Sequence, residues 1–294
     1  TCRFSRLVHS ELIVLVLAIC CCACAAEKAS TPLSPLANTS PFSTMAPVER
    51  STLVDATGTG LLDIAFLSDR DGGLAWYQMK SDGSSVQPLP LPSGSSVQGL
   101  WWLPEIGQWA AVLGDGSGQG DIYLIAPSGA IGQRLTSSRH IKSDLSYSER
   151  SGKLAFICAD EYLDVCTVSV SGHGAVVNIT SSPAQEISPL WSPDGTRLLF
   201  VSDVAAIQDV WLMSGDGTNL ANLTATGHAH GSPSWSPDGS QILFSSQRDL
   251  NWEIYVMGPQ GQNPRNLTNN PARDTVAVWS PDGNHIAFRS DRDG

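Results

Sequence analysis

The chain has 294 residues, of which 41% are hydrophobic and 15% are charged. Its 17 lysines and arginines stand against 28 aspartates and glutamates, a formal net charge of −11 that argues against a nucleic-acid-binding surface. The 27 glycines and 18 prolines are too few for a low-complexity disordered chain but suit a fold with many tight turns. The composition therefore indicates an acidic, turn-rich globular protein with enough apolar residues for a core.

Residues 1–26 have the pattern of an export signal. Arg3 and Arg6 precede an uncharged apolar stretch from Leu12 to Ala26, which is shorter than the roughly 20 residues of a membrane span. We therefore expect a signal peptide here, with an uncleaved anchor helix as the alternative. Both interpretations place the remaining chain outside the cytoplasm, in the periplasm or at the cell surface.

Four cysteines near the end of this stretch resemble the cysteine of a bacterial lipobox. Cys20 and Cys24 are the candidate lipidation sites, although neither is preceded by the full motif. The alternative is ordinary cleavage after Ala25 or Ala26. Residues 27–50 are rich in Ser, Thr, Pro and Ala without periodicity, so we expect a disordered linker there.

The rest of the chain repeats with a period of about 44 residues. Trp191, Trp235 and Trp279 lie 44 residues apart, and a phenylalanine follows each of them nine residues later. Each repeat contains four short apolar runs bounded by Gly, Pro, Asp or Asn, which is typical of a four-stranded propeller blade. The position of that phenylalanine defines six units, at Phe66, Val112, Phe156, Phe200, Phe244 and Phe288.

The most regular repeats contain the motif Trp-Ser-Pro-Asp-Gly. Proline fixes its own φ and glycine can take a positive φ, so the motif predicts a hairpin turn between the first two strands of a blade. The large tryptophans are expected in the core between blades. These structural residues are Trp191, Trp235, Trp279, Pro193, Pro237, Pro281, Gly195, Gly239 and Gly283.

This motif, followed by strands such as Ile-Ala-Phe and Glu-Ile-Tyr-Val-Met and by a closing Leu-Thr, resembles the WD-like repeats of TolB-type β-propellers. The resemblance is strong over residues 184–294, whereas residues 60–183 match in phase with degraded motifs, and Tyr147 stands at a tryptophan position. It implies an extracytoplasmic propeller that binds other macromolecules.

We therefore predict an all-β fold, a six-bladed β-propeller of four-stranded antiparallel blades over residues 51–294. The sixth blade is expected to be truncated at the C-terminus. The predicted blades cover about 51–92, 93–139, 140–183, 184–227, 228–271 and, incompletely, 272–294.

A polar residue stands five positions before each tryptophan position, on the predicted loop entering the innermost strand. Loops held by a rigid scaffold often bind ligands, so these residues are candidates for a ring around one mouth of the central channel. The alternative is that they are ordinary solvated loop residues. They are Gln98, Lys142, Glu186, His230 and Asp274.

No metal site is predicted with a complete set of ligands. His228 and His230 have no third ligand nearby for zinc. Several acids offer oxygen ligands for Ca²⁺ but lack the spacing of an EF-hand, and turn formation explains them more simply. They are Asp69, Asp71, Asp203, Asp249 and the stretch 114–121.

Cys158 and Cys166 flank a predicted hairpin of the third blade, where they could form a disulfide in an exported protein. The Asn-x-Thr sequences at Asn178, Asn222 and Asn266 recur because the fourth strand recurs, so they are not interpreted as glycosylation signals.

The sequence favours a non-enzymatic, monomeric binding platform for a protein or cell-envelope partner, with membrane contact only through the N-terminal signal or a lipid. No cofactor is expected, and no Gly-x-Ser-x-Gly, His-Glu-x-x-His or phosphate-binding glycine motif is present. One alternative is the propeller domain of a prolyl-oligopeptidase-type serine peptidase whose catalytic domain lies beyond Gly294. Another is a sensor ectodomain.

Overall fold

The computed structural model describes residues 64–72, 75–80, 83–93, 96–114, 119–138, 141–159, 161–172 and 174–293. These residues form β-strands in six antiparallel sheets and contain no helix. Accordingly, within these ranges no helical segment is long and apolar enough to cross a membrane. The predicted export signal, the candidate lipidation sites Cys20 and Cys24 and the predicted linker all lie outside the described residues.

Each sheet follows the chain, so that consecutive strands are neighbours. The first sheet has three strands, β1 (Ile64–Ser68), β2 (Ala75–Met79) and β3 (Gln87–Pro88). The second has four, β4 (Ser96–Leu103), β5 (Gln108–Gly114), β6 (Gly120–Ile125) and β7 (Ile131–Arg134). The third has β8 (Ile141–Ser148), β9 (Lys153–Ala159), β10 (Leu163–Ser169) and β11 (Val177–Asn178).

The remaining sheets repeat this order with closely similar strand lengths. The fourth has β12 (Glu186–Trp191), β13 (Arg197–Ser202), β14 (Asp209–Ser214) and β15 (Ala221–Asn222). The fifth has β16 (His230–Trp235), β17 (Ile242–Ser246), β18 (Glu253–Met257) and β19 (Arg265–Asn266). The last sheet has two strands, β20 (Asp274–Trp279) and β21 (Ile286–Ser290).

The structure confirms a propeller of four-stranded antiparallel blades but corrects the predicted number. It shows five blades, and the sixth repeat is present as a two-stranded sheet. The first blade has three described strands, and the segment predicted to supply a further strand lies outside the described residues. We number the blades 1–5 in chain order and name the last sheet the β20–β21 sheet.

Consecutive sheets pack face to face and share apolar cores, which accounts for the alternation of side chains along the strands. In β13, Leu198 and Phe200 pack toward blade 3, where they meet Ile157, whereas Leu199 packs toward Phe244 of blade 5. The repeat tryptophans fill these layers as predicted: Trp191 and Trp235 are buried between blades, and Trp279 is half-buried.

The Ser-Pro-Asp-Gly segments form the predicted hairpin turns. In blade 4 the Ser192 hydroxyl donates to Asp194 Oδ1 at 2.5 Å, and the Gly195 N–H donates to the Ser192 carbonyl at 2.8 Å. Gly195 has a φ of 69°, a conformation in which a side chain is unfavourable. The same turns occur at Gly239 and Gly283, where φ is 71° and 73°.

The two cysteines of blade 3 are joined in a disulfide. Cys158 lies on β9 and Cys166 on β10, with their Cα atoms 5.8 Å apart, within the usual range for a disulfide. Cys166 is buried in the core between blades 2 and 3, so the bond links the hairpin to that core.

Candidate binding face

The first strands of neighbouring blades contact one another along the chain from β4 to β20, which places them nearest the propeller axis. Two kinds of loop meet at the end where these strands begin. One kind precedes the first strand of a blade, and the other joins its second and third strands. We call this side the entrance face and the second kind of loop the corner loops, such as residues 203–208 and 247–252.

The structure places the five candidate ring residues at the start of the first strands rather than on solvated loops. Four of their side chains are buried, with exposed fractions of 2% for Lys142 and Glu186 and 0% for His230 and Asp274. Gln98, the third residue of β4, is half-buried. The buried four therefore belong to the junctions between blades.

Each buried ring residue is connected, directly or through one side chain, to the acid near the start of the third strand of the preceding blade. Lys142 Nζ is 3.2 Å from Asp121 Oδ1, and His230 Nε2 is 3.9 Å from Asp209 Oδ1. Glu186 interacts with the carboxylate of Asp164. Asp274 is connected to Glu253 through Asn270, whose backbone N–H donates to Glu253 Oε1 at 3.0 Å and whose side-chain amide donates to Asp274 Oδ2 at 2.7 Å. The residues at the ring positions thus differ in charge, and each has a different set of neighbours at its junction.

A threonine and an asparagine from the short fourth strand hold that junction acid. In blade 4 the Thr224 hydroxyl donates to Asp209 Oδ1 at 2.9 Å and accepts the Val210 N–H at 2.9 Å. The Asn222 side-chain amide donates to Asp209 Oδ2 at 2.8 Å. The hydroxyls of Thr136, Thr180 and Thr268 make the same pair of contacts in blades 2, 3 and 5.

Glu186 occupies the junction with the least compensated charge. Its Oε1 accepts hydrogen bonds from Ser182 at 2.5 Å and Ser202 at 3.3 Å, whereas Oε2 is buried without a partner among the described residues. Burial, followed by the neighbouring carboxylate of Asp164, raises the pKa of Glu186 to about 7. The carboxyl of Glu186 therefore keeps its proton until the pH approaches neutrality.

His230 is kept neutral by its surroundings. Its Nε2 lies 2.7 Å from Thr226 Oγ1, and its ring packs edge-on against Phe244 with centroids 5.7 Å apart. Burial, with a smaller contribution from the cationic Arg248, lowers the pKa of His230 to about 4. The imidazole thus serves as an uncharged hydrogen-bonding group at neutral pH.

Asp274 remains ionised because it has hydrogen-bond donors. Burial alone would raise its pKa, but hydrogen bonds from Ser290, Asn270 and Arg292 hold the pKa below its usual value. Arg292 Nη2 and the Asn270 amide lie 2.8 Å and 2.7 Å from Asp274 Oδ2.

The first strands also carry a bulge two residues after the ring position. Asp144, Ser188, Ser232 and Val276 have positive φ angles there, between 49° and 55°. At one of these bulges Asp144 accepts the Ser188 N–H at 3.1 Å, so a side chain of blade 3 is bonded to the backbone of blade 4. Burial raises the pKa of this carboxyl. The bulges therefore link neighbouring blades close to the axis.

The corner loops of blades 1 and 5 are held by hydrogen bonds and cation–π contacts. In blade 5 the Arg248 Nε donates to Ser246 Oγ at 3.1 Å, and its guanidinium lies 4.4 Å from the centroid of the Tyr255 ring. The Tyr255 hydroxyl and the Asn266 amide both donate to Asp249. In blade 1, Arg70 makes equivalent contacts with Ser68 and Tyr77.

Within the described residues, no group of three or more His, Cys, Asp or Glu side chains could hold a metal ion. His228 is exposed whereas His230 is buried. Among the acids considered for Ca²⁺, Asp203 accepts the Gln185 N–H at 2.8 Å, and Asp71 accepts the Tyr77 hydroxyl. Of the stretch 114–121, residues 115–118 lie outside the described part of the chain.

Comparisons with known proteins agree with this architecture. Residues 225–294 match the family model described as the TolB beta propeller domain. No curated protein matches the chain. The structure is similar to that of a protein described as TolB from Agrobacterium tumefaciens, with a TM-score of 0.59 and 19% identity over 73% of this chain and 82% of that one.

Two enzymes also contain similar folds. An oligogalacturonate lyase in complex with manganese gives a TM-score of 0.60 with 18% identity over 76% of this chain. A puromycin-hydrolyzing peptidase from Mycobacterium tuberculosis gives 0.61 with 14% identity over 74% of it. The chain spans 66% of the lyase and 37% of the peptidase, so its similarity extends to only part of each.

The repeated turns and the layered blades lead to one structural conclusion: the described part of this chain is a β-propeller, whose residues 225–294 match the TolB beta propeller domain.

Proposed function

We propose that this protein is a non-enzymatic binding platform that docks a protein or cell-envelope partner on its entrance face. One observation supports this function most. The blade junctions beneath that face are tied by buried hydrogen bonds, while the corner loops above them present exposed side chains such as Val204 and Leu250. A rigid frame with exposed loops is the arrangement on which binding sites usually occur.

In this proposal the blades surround an axial channel. The main role of the ring residues is to shape and stiffen the mouth of this channel, and they offer little surface to the partner. They are Gln98, Lys142, Glu186, His230 and Asp274. The protein acts as a monomer outside the cytoplasm, either released or attached through a lipid on Cys20 or Cys24. The apolar stretch of residues 12–26 is the support for export.

The test is to pan the full chain against a phage-displayed library of random peptides and map an enriched peptide by hydrogen exchange. We expect slower exchange in the entrance-face loops at 203–208, 225–229 and 247–252. The turns of the opposite face, such as 192–196 and 236–240, should be unaffected. Failure to enrich any peptide, or protection confined to the opposite face, would contradict the proposed function.

A second function is supported by the similarity to the puromycin-hydrolyzing peptidase, of which the chain spans 37%. In that case the propeller is one domain of a prolyl-oligopeptidase-type serine peptidase. Reading the gene beyond the codon for Gly294 separates the two functions. Several hundred further residues with a Gly-x-Ser-x-Gly motif would favour the peptidase, whereas a short extension ending the last blade would favour the platform.

A further inference from the structure

The corner loops of blades 1 and 5 have the same turn but different residues at its tip. Blade 1 has Ser-Asp-Arg-Asp-Gly, ending at Gly72, and blade 5 has Ser-Gln-Arg-Asp-Leu, ending at Leu250. Gly72 has a φ of 89° and its N–H donates to the Asp69 carbonyl at 2.9 Å. Leu250 has a φ of 80° and its N–H donates to the Gln247 carbonyl at 3.3 Å. A leucine therefore occupies a backbone position suited to glycine.

This leucine is unfavourable for the fold in two ways. A positive φ brings the Cβ of an L-residue too close to its own backbone, a cost that glycine avoids. The side chain is also 101% exposed, so no packing within the described residues offsets that cost. A strained and fully exposed apolar residue is better explained by contact with a partner than by folding.

The corner loop of blade 4 adds to the same surface. Val204 and Ile207 are exposed there, and Ala206 has a positive φ of 72°. The loop between these two corners, residues 225–229, contains no acid and no lysine or arginine. In blade 1, by contrast, the corner loop begins with three charged residues, Asp69, Arg70 and Asp71. Blades 4 and 5 thus present exposed apolar side chains on the entrance face.

Charge indicates which partner fits this surface. Asp203 and Asp249 each lie in one of the two corner loops, and the one cationic side chain of these loops, Arg248, has its guanidinium placed over the Tyr255 ring. The chain as a whole carries a net charge of −11. A segment with lysine or arginine beside its apolar side chains would be complementary to these carboxylates.

We propose that Val204, Ile207 and Leu250 form a docking surface for a protein segment in which an apolar side chain is flanked by basic residues. This proposal rests on the proposed function, since it names the part of the entrance face that is used and the chemistry of the partner. Leu250 is the central contact.

The experiment uses peptides enriched by the full chain from a random phage-displayed library, synthesised with a fluorophore and titrated by fluorescence anisotropy. We expect them to combine Leu, Ile, Phe or Trp with Lys or Arg. Leu250→Gly should weaken their binding at least about tenfold, the size of effect typical of a central contact residue. It should leave the unfolding temperature unchanged or higher, because glycine relieves the strained backbone.

Two further variants keep the test decisive. Leu250→Asn retains a residue that tolerates positive φ and should weaken binding to a similar extent. Leu220→Gly removes an exposed leucine from a turn on the opposite face, where the side chain is 57% exposed, and should leave binding within about twofold.

The outcomes separate this inference from the function on which it rests. Enriched peptides that are acidic, or that bind Leu250→Gly and Leu250→Asn as tightly as the unchanged chain, would overturn the docking surface while leaving a binding platform. An unfolding temperature lowered by Leu250→Gly would overturn the argument from strain. A library that yields no binding peptide would overturn the binding platform itself.

Discussion

The buried carboxyl of Glu186 should make the stability of the propeller depend on pH. Its pKa is raised from 4.5 to about 7 by burial and by Asp164, so the folded state keeps a proton that the unfolded chain releases. The associated stability is present below about pH 4.5 and is lost as the pH rises through about 7. A shift of this size corresponds to about 3 kcal/mol at full ionisation.

Glu186→Gln should remove this dependence, because a neutral amide of the same shape has no proton to lose. We expect the free energy of unfolding of the variant to exceed that of the unchanged chain by about 2–3 kcal/mol at pH 8 and to differ little at pH 4.5. Urea denaturation followed by tryptophan fluorescence measures both values. The matched control is Glu161→Gln, which changes an exposed glutamate of the same face.

The test compares how the free energy of unfolding of the two chains changes with pH. If the curves of free energy against pH for Glu186→Gln and the unchanged chain run parallel from pH 4.5 to 8, the carboxyl does not retain its proton in the folded state. The description of its junction would then be wrong. An equal pH effect from Glu161→Gln would assign the dependence to general surface charge.

Three further predictions concern the same framework. Thr224→Val should lower the free energy of unfolding by about 1–3 kcal/mol, since the Val210 N–H loses its buried acceptor, and urea denaturation measures it. Cys158→Ala with Cys166→Ala should lower it by about 2–3 kcal/mol for a closed loop of this length, and reduction of the unchanged chain by dithiothreitol should give a similar loss. The pKa of His230 is lowered to about 4, so its contribution to stability should be present above pH 6.5 and lost as the pH falls through 4. His230→Gln should flatten the dependence of the free energy of unfolding on pH in this range. An unchanged dependence would contradict the prediction.

The blade architecture was predictable from the repeat alone. The spacing of Trp191, Trp235 and Trp279 established the period, and the turn chemistry of Ser-Pro-Asp-Gly located the hairpins. These features are local, since proline, aspartate and glycine determine the turn within four residues. The pattern of strands within a blade follows from these features. The number of blades does not, because counting repeat positions does not show which strands pair into a complete sheet.

The burial of the ring residues was not predicted. Phase in the repeat places Lys142, Glu186, His230 and Asp274 at equivalent positions, and their polarity suggested exposure. Their side chains are buried at junctions with the acid of the preceding blade, which one repeat alone does not reveal. The recurring combination of that acid with a threonine about 15 residues later was a usable signal for this network.

Leu250 was also overlooked, although the sequence contains the information. Alignment of the corners ending at Gly72 and Leu250 shows a leucine at a glycine position. Only the backbone angle and full exposure of Leu250 turn that difference into an argument for a contact, because a buried leucine at the same position would have a structural explanation.

The most direct test of the account is a crystal structure of the full chain bound to a peptide enriched by it. We predict that the peptide lies on the entrance face, with an apolar side chain against Leu250 and Val204 and a basic side chain near Asp203 or Asp249. A peptide bound instead to the Ser-Pro-Asp-Gly turns on the opposite face would contradict the assignment of the binding surface.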